Sequence, residues 1–272
     1  MDGEQSGRTQ PSTLPADHFR KKSSARVWDY WLGGTDNYLV DRAAGDEFTR
    51  LYPDIIDTAQ HCRQFLTRVV TYLASEAGVR QFLDIGTGLP GPPGIRHTHE
   101  VAQSVAPTSK IVYVDNDPLV LLYASAWLAN TTPQGSTDYL HADVRDPDQL
   151  VTGAHATLDF SAPIAVILQG ILGHAASTFE QMYTITRALL DAVPSGSYLI
   201  LSDGADTGHP GFREACRRHQ YHLRRLDEFR ACLIGLKVIE PGLVPVDQWR
   251  PPPIQTAART PLRSVVAVAR KP

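Results

Sequence analysis

Phe82-Leu83-Asp84-Ile85-Gly86-Thr87-Gly88-Leu89-Pro90-Gly91 is the stretch that decides the fold. An apolar run passes into glycines at 86, 88 and 91, the spacing of a strand whose turn lets a ligand lie against bare backbone. Taken alone, that spacing also suits a dinucleotide enzyme. Three features argue against one. Asp84 stands just before the first glycine, where it attracts a cationic group and repels a pyrophosphate. Pro90, Pro92 and Pro93 delay the next helix, so its N-terminus is poorly placed to hold a diphosphate. From Gly86 to Asp115 there are 29 positions, against about 20 in the dinucleotide fingerprint.

Around this loop the chain alternates short apolar runs with helical stretches, as a parallel sheet covered on both faces requires. Strands are expected at Gln81–Ile85, Ile111–Val114, Asp138–Leu140, Pro163–Leu168 and Tyr198–Leu201, with two more at Leu236–Ile239 and Val265–Ala269. Asp117-Pro118 and Asp146-Pro147 each place a capping acid before a proline at a helix start. Ser177 with Glu180 matches a capping box for a helix over Met182–Val193. Upstream, residues 1–22 read as a flexible polar tail. Residues 23–78 read as a helical cap: a short helix from Ser23 or Ser24 to Leu32, a second from about Val40 to Leu51, and a longer one after Asp54. The last carries Ile55, Ala59, Cys62, Leu66, Val69 and Leu73 on one face and ends at Gly78. Residues 79–272 then form the ligand-binding domain.

Three carboxylates fall at successive strand ends. Asp84 faces a cationic tail, Asp115 is placed to bind two ribose hydroxyls, and Asp143 to accept from an adenine amino group. Each acid alone also reads as a turn cap. Together with the glycine loop they outline an adenosine bearing a positive charge, which is S-adenosylmethionine.

These blocks resemble the bacterial S-adenosyl methyltransferase family of class I fold, formerly a domain of unknown function. The resemblance is carried by Ala25-Arg26-Val27-Trp28-Asp29-Tyr30-Trp31-Leu32-Gly33-Gly34-Thr35-Asp36-Asn37-Tyr38 and by Asp84–Pro90. It continues through Tyr113–Pro118, Glu240-Pro241-Gly242-Leu243-Val244 and Trp249-Arg250-Pro251. It covers roughly residues 23–272. It implies a Rossmann-like α/β domain with a seven-stranded, mostly parallel sheet and S-adenosylmethionine at the C-terminal strand edge. Carried over position by position, the cofactor residues are Asp84, Gly86, Gly88, Asp115, Asn116, Asp143 and Val144. The chain departs from the family pattern in a longer Gly91–Arg96 loop, in Gly173-His174 where relatives tend to show adjacent histidines, and in Asp203 where a histidine is frequent.

Methyl transfer is an in-line displacement that needs alignment and, for a protonated acceptor, a base. Gln169, His174 and Asp203 end the fourth and fifth strands, and His174 is the first candidate base; a histidine bonded to backbone at a helix start is the plainer reading. In the Trp28–Tyr38 segment, Tyr30 and Trp31 read as a lid over the sulfonium. Equally, Val27, Trp28, Trp31 and Leu32 read as a packing face, which leaves Tyr30 and Asn37 as ligand contacts.

His97, His99 and Glu100 suggest a metal, but alternate positions at a helix start do not share a helical face, and none is expected. Arginines 213, 217, 218, 224, 225 and 230, with His219 and His222, fit phosphates or a solvated helix pair. Net charge −3 gives no general attraction to polyanions. Three scattered cysteines, a polar N-terminus and no long apolar run point to a cytoplasmic protein without a membrane segment. The expected activity is methyl transfer to a small-molecule acceptor of the specialised-metabolite kind. The alternatives are a non-catalytic S-adenosylmethionine-binding protein and a nucleic-acid methyltransferase, with an NAD-type oxidoreductase more distant.

Overall fold

The structure is a computed structural model describing residues 19–127, 129–252 and 261–272. Three helices come first: α1 (Ser24–Trp31), α2 (Leu39–Leu51) and α3 (Ile55–Ser75). The alternating part then runs β1 (Gln81–Ile85), α4 (Thr98–Val105), β2 (Lys110–Asp115), α5 (Pro118–Trp127), β3 (Ser136–His141), α6 (Pro147–Ala154) and β4 (Ala165–Gln169). It continues with α7 (Leu172–Ala175), α8 (Phe179–Ala192), β5 (Tyr198–Gly204), α9 (Pro210–Arg218) and α10 (Leu226–Cys232). The chain closes with β6 (Lys237–Val238), β7 (Val244–Pro245) and β8 (Ser264–Arg270).

The strand order is β3-β2-β1-β4-β5-β8-β6, with β7 also pairing β8. Strands β1 to β5 are mutually parallel and β8 is antiparallel to β5. Seven positions were expected, and the structure has eight strands because the edge position is broken in two. Between the pairs Val238↔Ala269 and Val244↔Val266 the edge has five residues against two on β8. Glu240-Pro241-Gly242 lies in that excess, and proline cannot donate to a ladder.

Alternate strand residues feed two cores. Phe82, Ile111, Ile167, Ile200 and Val268 pack beneath α3 and α4, with Trp249 completing that layer. Leu83, Val112, Val166, Leu199 and Ala267 pack beneath α6, α8 and α10. At about 25 cal/mol per Å² of apolar surface removed from water, these strands are held by burial on both faces.

The helix starts follow local chemistry. Asp117 accepts from Leu119 N at 2.9 Å and Asp146 from Gln149 N at 3.1 Å. The box ahead of α8 is formed by Thr178 and Gln181, not by Ser177 and Glu180, because the helix begins at Phe179. Ser23 and Asp54 occupy the N-cap positions of α1 and α3 without a side-chain cap. Ser23 Oγ reaches across to Asp117 at 2.6 Å instead.

A third core joins the first helices to α9. Val27, Trp31, Phe48, Tyr52 and Ile55 meet Phe212, Ala215 and Cys216 there. The second half of α3, Cys62 to Ala74, packs on the sheet. The expected division at residue 78 therefore follows a helix that serves both the cap and the sheet. Of the expected tail, residues 1–18 lie outside the described residues. The remainder is held: Phe19 packs edge-on to Tyr38, and the Lys21 carbonyl accepts from Arg26.

Candidate active site

The strands end at one long cavity of about 720 Å³. One end of it lies over the β1–β2–β3 edge, where a doubly wound sheet offers a crevice. Gly86 and Gly88 take the left-handed region, at φ +75° and +66°. A Cβ on Gly86 would fall 2.7 Å from the Ile171 side chain, so the turn requires glycine there. Asp115 is oriented by backbone: it accepts from Gly88 N at 2.9 Å and from Asp117 N at 3.0 Å. Burial raises its carboxyl above the ordinary range, a cost that a hydrogen-bonding ligand relieves. Asp143 accepts from Asn116 at 3.0 Å and from Arg145 N and Nε at 2.9 Å, and these bonds, with Arg145 foremost, hold it well below the usual range. Val144 and Ala142 supply an apolar wall beside it.

Asp84 lies deeper. It accepts from Thr98 Oγ1 at 2.6 Å, and burial pushes its carboxyl up to about 6. Arg63 of α3 lines the same place and donates to the Leu89 carbonyl at 3.2 Å. Burial lowers its pKa, and the nearby Asp84 charge is the largest effect opposing that shift. A carboxylate and a guanidinium side by side match an amino-acid moiety, the acid facing the ammonium and the arginine facing the carboxylate. With Asp115 placed for a diol, this donor set fits S-adenosylmethionine.

The other end is a chamber under the cap. Trp28, Trp31, Phe48, Phe212 and Tyr221 line it, over Cys62, Ser202 and Ser264. Trp31 and Phe48 pack edge-on at 5.1 Å, and a Cβ on Gly170 would stand 3.9 Å from Trp28. Tyr221 fits because two glycines make room: a Cβ on Gly173 would fall 2.3 Å from its ring, and one on Gly204 2.9 Å from it. The Tyr221 hydroxyl accepts from Gly204 N at 3.1 Å, and the His174 ring packs edge-on against it at 4.7 Å. His174 lines the cavity and keeps exposed surface, while desolvation by the surrounding protein pulls its imidazole down to about 4. Gln169 also lines the cavity and donates to the Cys62 carbonyl at 2.7 Å.

The profile of the S-adenosyl methyltransferase family matches residues 13–272. The chain belongs to that family. Its cofactor is accordingly S-adenosylmethionine. The structure is similar to that of a DUF574 family protein from Streptomyces avermitilis, at 38% identity and TM-score 0.86, covering 93% of this chain and 99% of that one. It is also similar to a candidate methyltransferase from Thermobifida fusca, at 36% identity and TM-score 0.85, covering 94% and 97%. No curated protein matches the chain.

In this family member, Asp84, Gly86, Gly88, Asp115, Asn116, Asp143, Val144, Gln169 and His174 all line the one cavity. Tyr30 and Asn37 do not. The Tyr30 hydroxyl donates to Asp46 at 2.8 Å on the outer side of the cap. Asn37 is buried, donates to Asp29 at 2.7 Å and to the Gly34 carbonyl at 2.9 Å, and accepts from Arg42 at 2.6 Å. Its polar atoms are used in folding the cap, and Trp28 and Trp31 are the aromatic residues of this helix that line the cavity. Asp203 does not line the cavity either; it accepts from Gly173 N at 2.9 Å and from Gly204 N at 2.9 Å.

His97 and His99 do meet, contrary to the expectation from helical spacing. Their rings stack at 6.0 Å because His97 precedes α4 in extended backbone and is not on its face. His99 is engaged by Tyr113 at 2.9 Å. Among the described residues no group of three or more metal-ligating side chains comes together.

Arg63 was missed. Its signal was a cation set among Ala59, Cys62 and Leu66 on the apolar face of α3, where burial demands a partner.

Proposed function

We propose that this protein transfers the methyl group of S-adenosylmethionine to a small-molecule acceptor seated in the aromatic chamber. The observation that carries the reading is continuity: one cavity holds both the acid-lined cofactor end and the chamber beneath Trp28. When bound, the cofactor supplies an electrophilic methyl group. The chain's own residues do the rest. Asp84, Arg63 and Asp115 fix the cofactor's orientation, and the cap aligns the acceptor and excludes bulk water.

We assign His174 as the group that receives a proton or hydrogen bond from the acceptor. With its pKa near 4 it stays neutral at physiological pH, so its ring nitrogen is available to accept. A base so weak drives little proton transfer, and its larger role is orientation. A chamber lined by Trp28, Trp31, Phe48, Phe212 and Tyr221 favours a small acceptor over a polynucleotide. Most of the arginine run also has other partners: Arg213 binds Asp206, Arg217 and Arg218 bind Glu214, Arg225 binds Asp227, and Arg224 is buried against carbonyls. We place the protein in the cytoplasm, a reading supported by three buried free cysteines. Among the described residues no helix is long and apolar enough to cross a membrane.

Mass spectrometry tests this by following label from methyl-labelled S-adenosylmethionine into an extract of small aromatic and heteroaromatic metabolites. The expected result is labelled product together with S-adenosylhomocysteine. Cofactor binding with no labelled product from any small molecule would leave a non-catalytic binding protein.

A further inference from the structure

The two ends of the cavity differ in charge, and the methyl-transfer step by itself does not require this. The carboxylates that line it, Asp84, Asp115, Asp117 and Asp143, stand at the cofactor end. Among the described residues, the chamber end carries Lys22, His174 and His219 with the aromatic rings. Lys22 Nζ lies 3.1 Å from His219 Nδ1. An ammonium has only donors, so that imidazole is neutral and accepts the bond. The nearest acid to His219 is Glu47 at 3.9 Å, and Glu47 is also bonded by Arg218 at 3.1 Å outside the chamber.

Two further observations point to a polar ligand here. Ser202 Oγ lines the chamber, the residue is 1% exposed, and the hydroxyl has no hydrogen-bond partner among the described residues. A buried hydroxyl without a partner is costly unless a ligand satisfies it. The strap carrying Lys22 is also fixed in place, because Arg26 binds the Lys21 carbonyl and pairs with Asp41 in a buried ion pair at 2.7 Å.

We propose that the acceptor is an acidic aromatic small molecule, its ring in the Trp28–Tyr221 chamber and its carboxylate or phenolate oxygen against Lys22, with His219 and His174 beside it. The inference rests on the methyltransferase reading above and narrows its substrate class. Lys22 supplies the opposite charge, and the histidines supply neutral hydrogen-bonding groups that do not repel it. An anion there also offsets the effect of the Lys22 charge, which with burial keeps the His174 imidazole low.

The experiment is calorimetry on protein saturated with S-adenosylhomocysteine, titrated with 3-hydroxy-2-naphthoate and with its neutral carboxamide. The naphthoate is expected to bind at least tenfold more tightly than the amide. Lys22→Met is expected to bring the two within about twofold while leaving the S-adenosylhomocysteine affinity unchanged. Equal affinity, tighter amide, no binding of either compound, or an equal loss for both in Lys22→Met overturns the inference. A methyl-transfer assay with the same pair separates the two readings. Methylation of the amide alone would sink the acidic-acceptor inference and keep the methyltransferase. Failure to bind S-adenosylhomocysteine at all would remove the reading on which it rests.

Discussion

The two ends of the cavity are built by different rules. At the cofactor end the acids lie at or beside strand ends, and two of them are oriented by backbone or by neighbours close in the chain: Asp115 by Gly88 and Asp117, Asp143 by Arg145. At the chamber end, the walls come from segments far apart in sequence, Trp28, Phe48, Cys62, His174, Ser202 and Tyr221. The first is a property of strands and the turns that follow them. The second exists only once the cap, α3 and α9 have packed together. A site of the first kind recurs wherever its motif recurs, whereas a site of the second kind changes when any one packing partner changes, which suits a shared cofactor and a variable acceptor.

The largest expected effect tests the cofactor end. Asp115→Ala removes the acid placed for the ribose and leaves Gly88 N without its partner. S-adenosylhomocysteine affinity should fall about a hundredfold, roughly 2.7 kcal/mol. Calorimetry checks this, with circular dichroism confirming that the fold persists. Unchanged affinity would break the contrast at its strongest point.

Next, Gly173→Ala should disturb the chamber end alone. Its Cβ would meet the Tyr221 ring at 2.3 Å. Overpacking of that kind costs about 1–3 kcal/mol, so methyl transfer should drop at least tenfold while cofactor affinity stays within about twofold. Equal losses in both would show that the ends are not separable.

The pH dependence sharpens the difference further. Asp84 is raised to about 6 by burial. If its ionised form holds the cofactor's ammonium, affinity is full above that value and is lost as pH falls through it, by up to about tenfold per unit. Titrations between pH 5 and 8 should show this, and Asp84→Asn should reduce the slope to what the raised Asp115 contributes. Asp143, held low by Arg145, should contribute no inflection in that window.

The smallest effect concerns the cap. Tyr30→Phe loses only the bond to Asp46 on the outer face. Cofactor affinity and turnover should change less than about twofold, since exposed interactions contribute little. Asn37→Ala should lower thermal stability, by about 1–3 kcal/mol for a buried amide stripped of its bonds. Scanning calorimetry reads that loss, and an unchanged Kd beside it would confirm that Asn37 serves the fold.

How much of this was legible follows from the range of the interactions. The strand over Gln81–Ile85 was read to the residue, and the neighbouring strands to within a few, because fully buried parallel strands must be continuous apolar runs bounded by turns. The box before α8 slipped by one residue since Ser177, Thr178, Glu180 and Gln181 offer two overlapping boxes, and helix register chose between them. Tyr30 and Asn37 misled because residue type showed that they would make polar contacts but not with which partners. Both partners, Asp46 and Asp29, lie within the cap itself.

The amino-acid sequence by itself determined the layered α/β architecture, the glycine turn and the row of strand-end acids, because all depend on local dihedral freedom and on the period of apolar residues. Tertiary structure alone decided that Arg63 would stand beside Asp84 and that Asp203 would hold Gly173. It also decided that Tyr221 would fill the space left by two glycines and close an aromatic chamber. Those outcomes depend on which surfaces meet when helices distant in the chain pack over the sheet. No short stretch of sequence encodes that meeting.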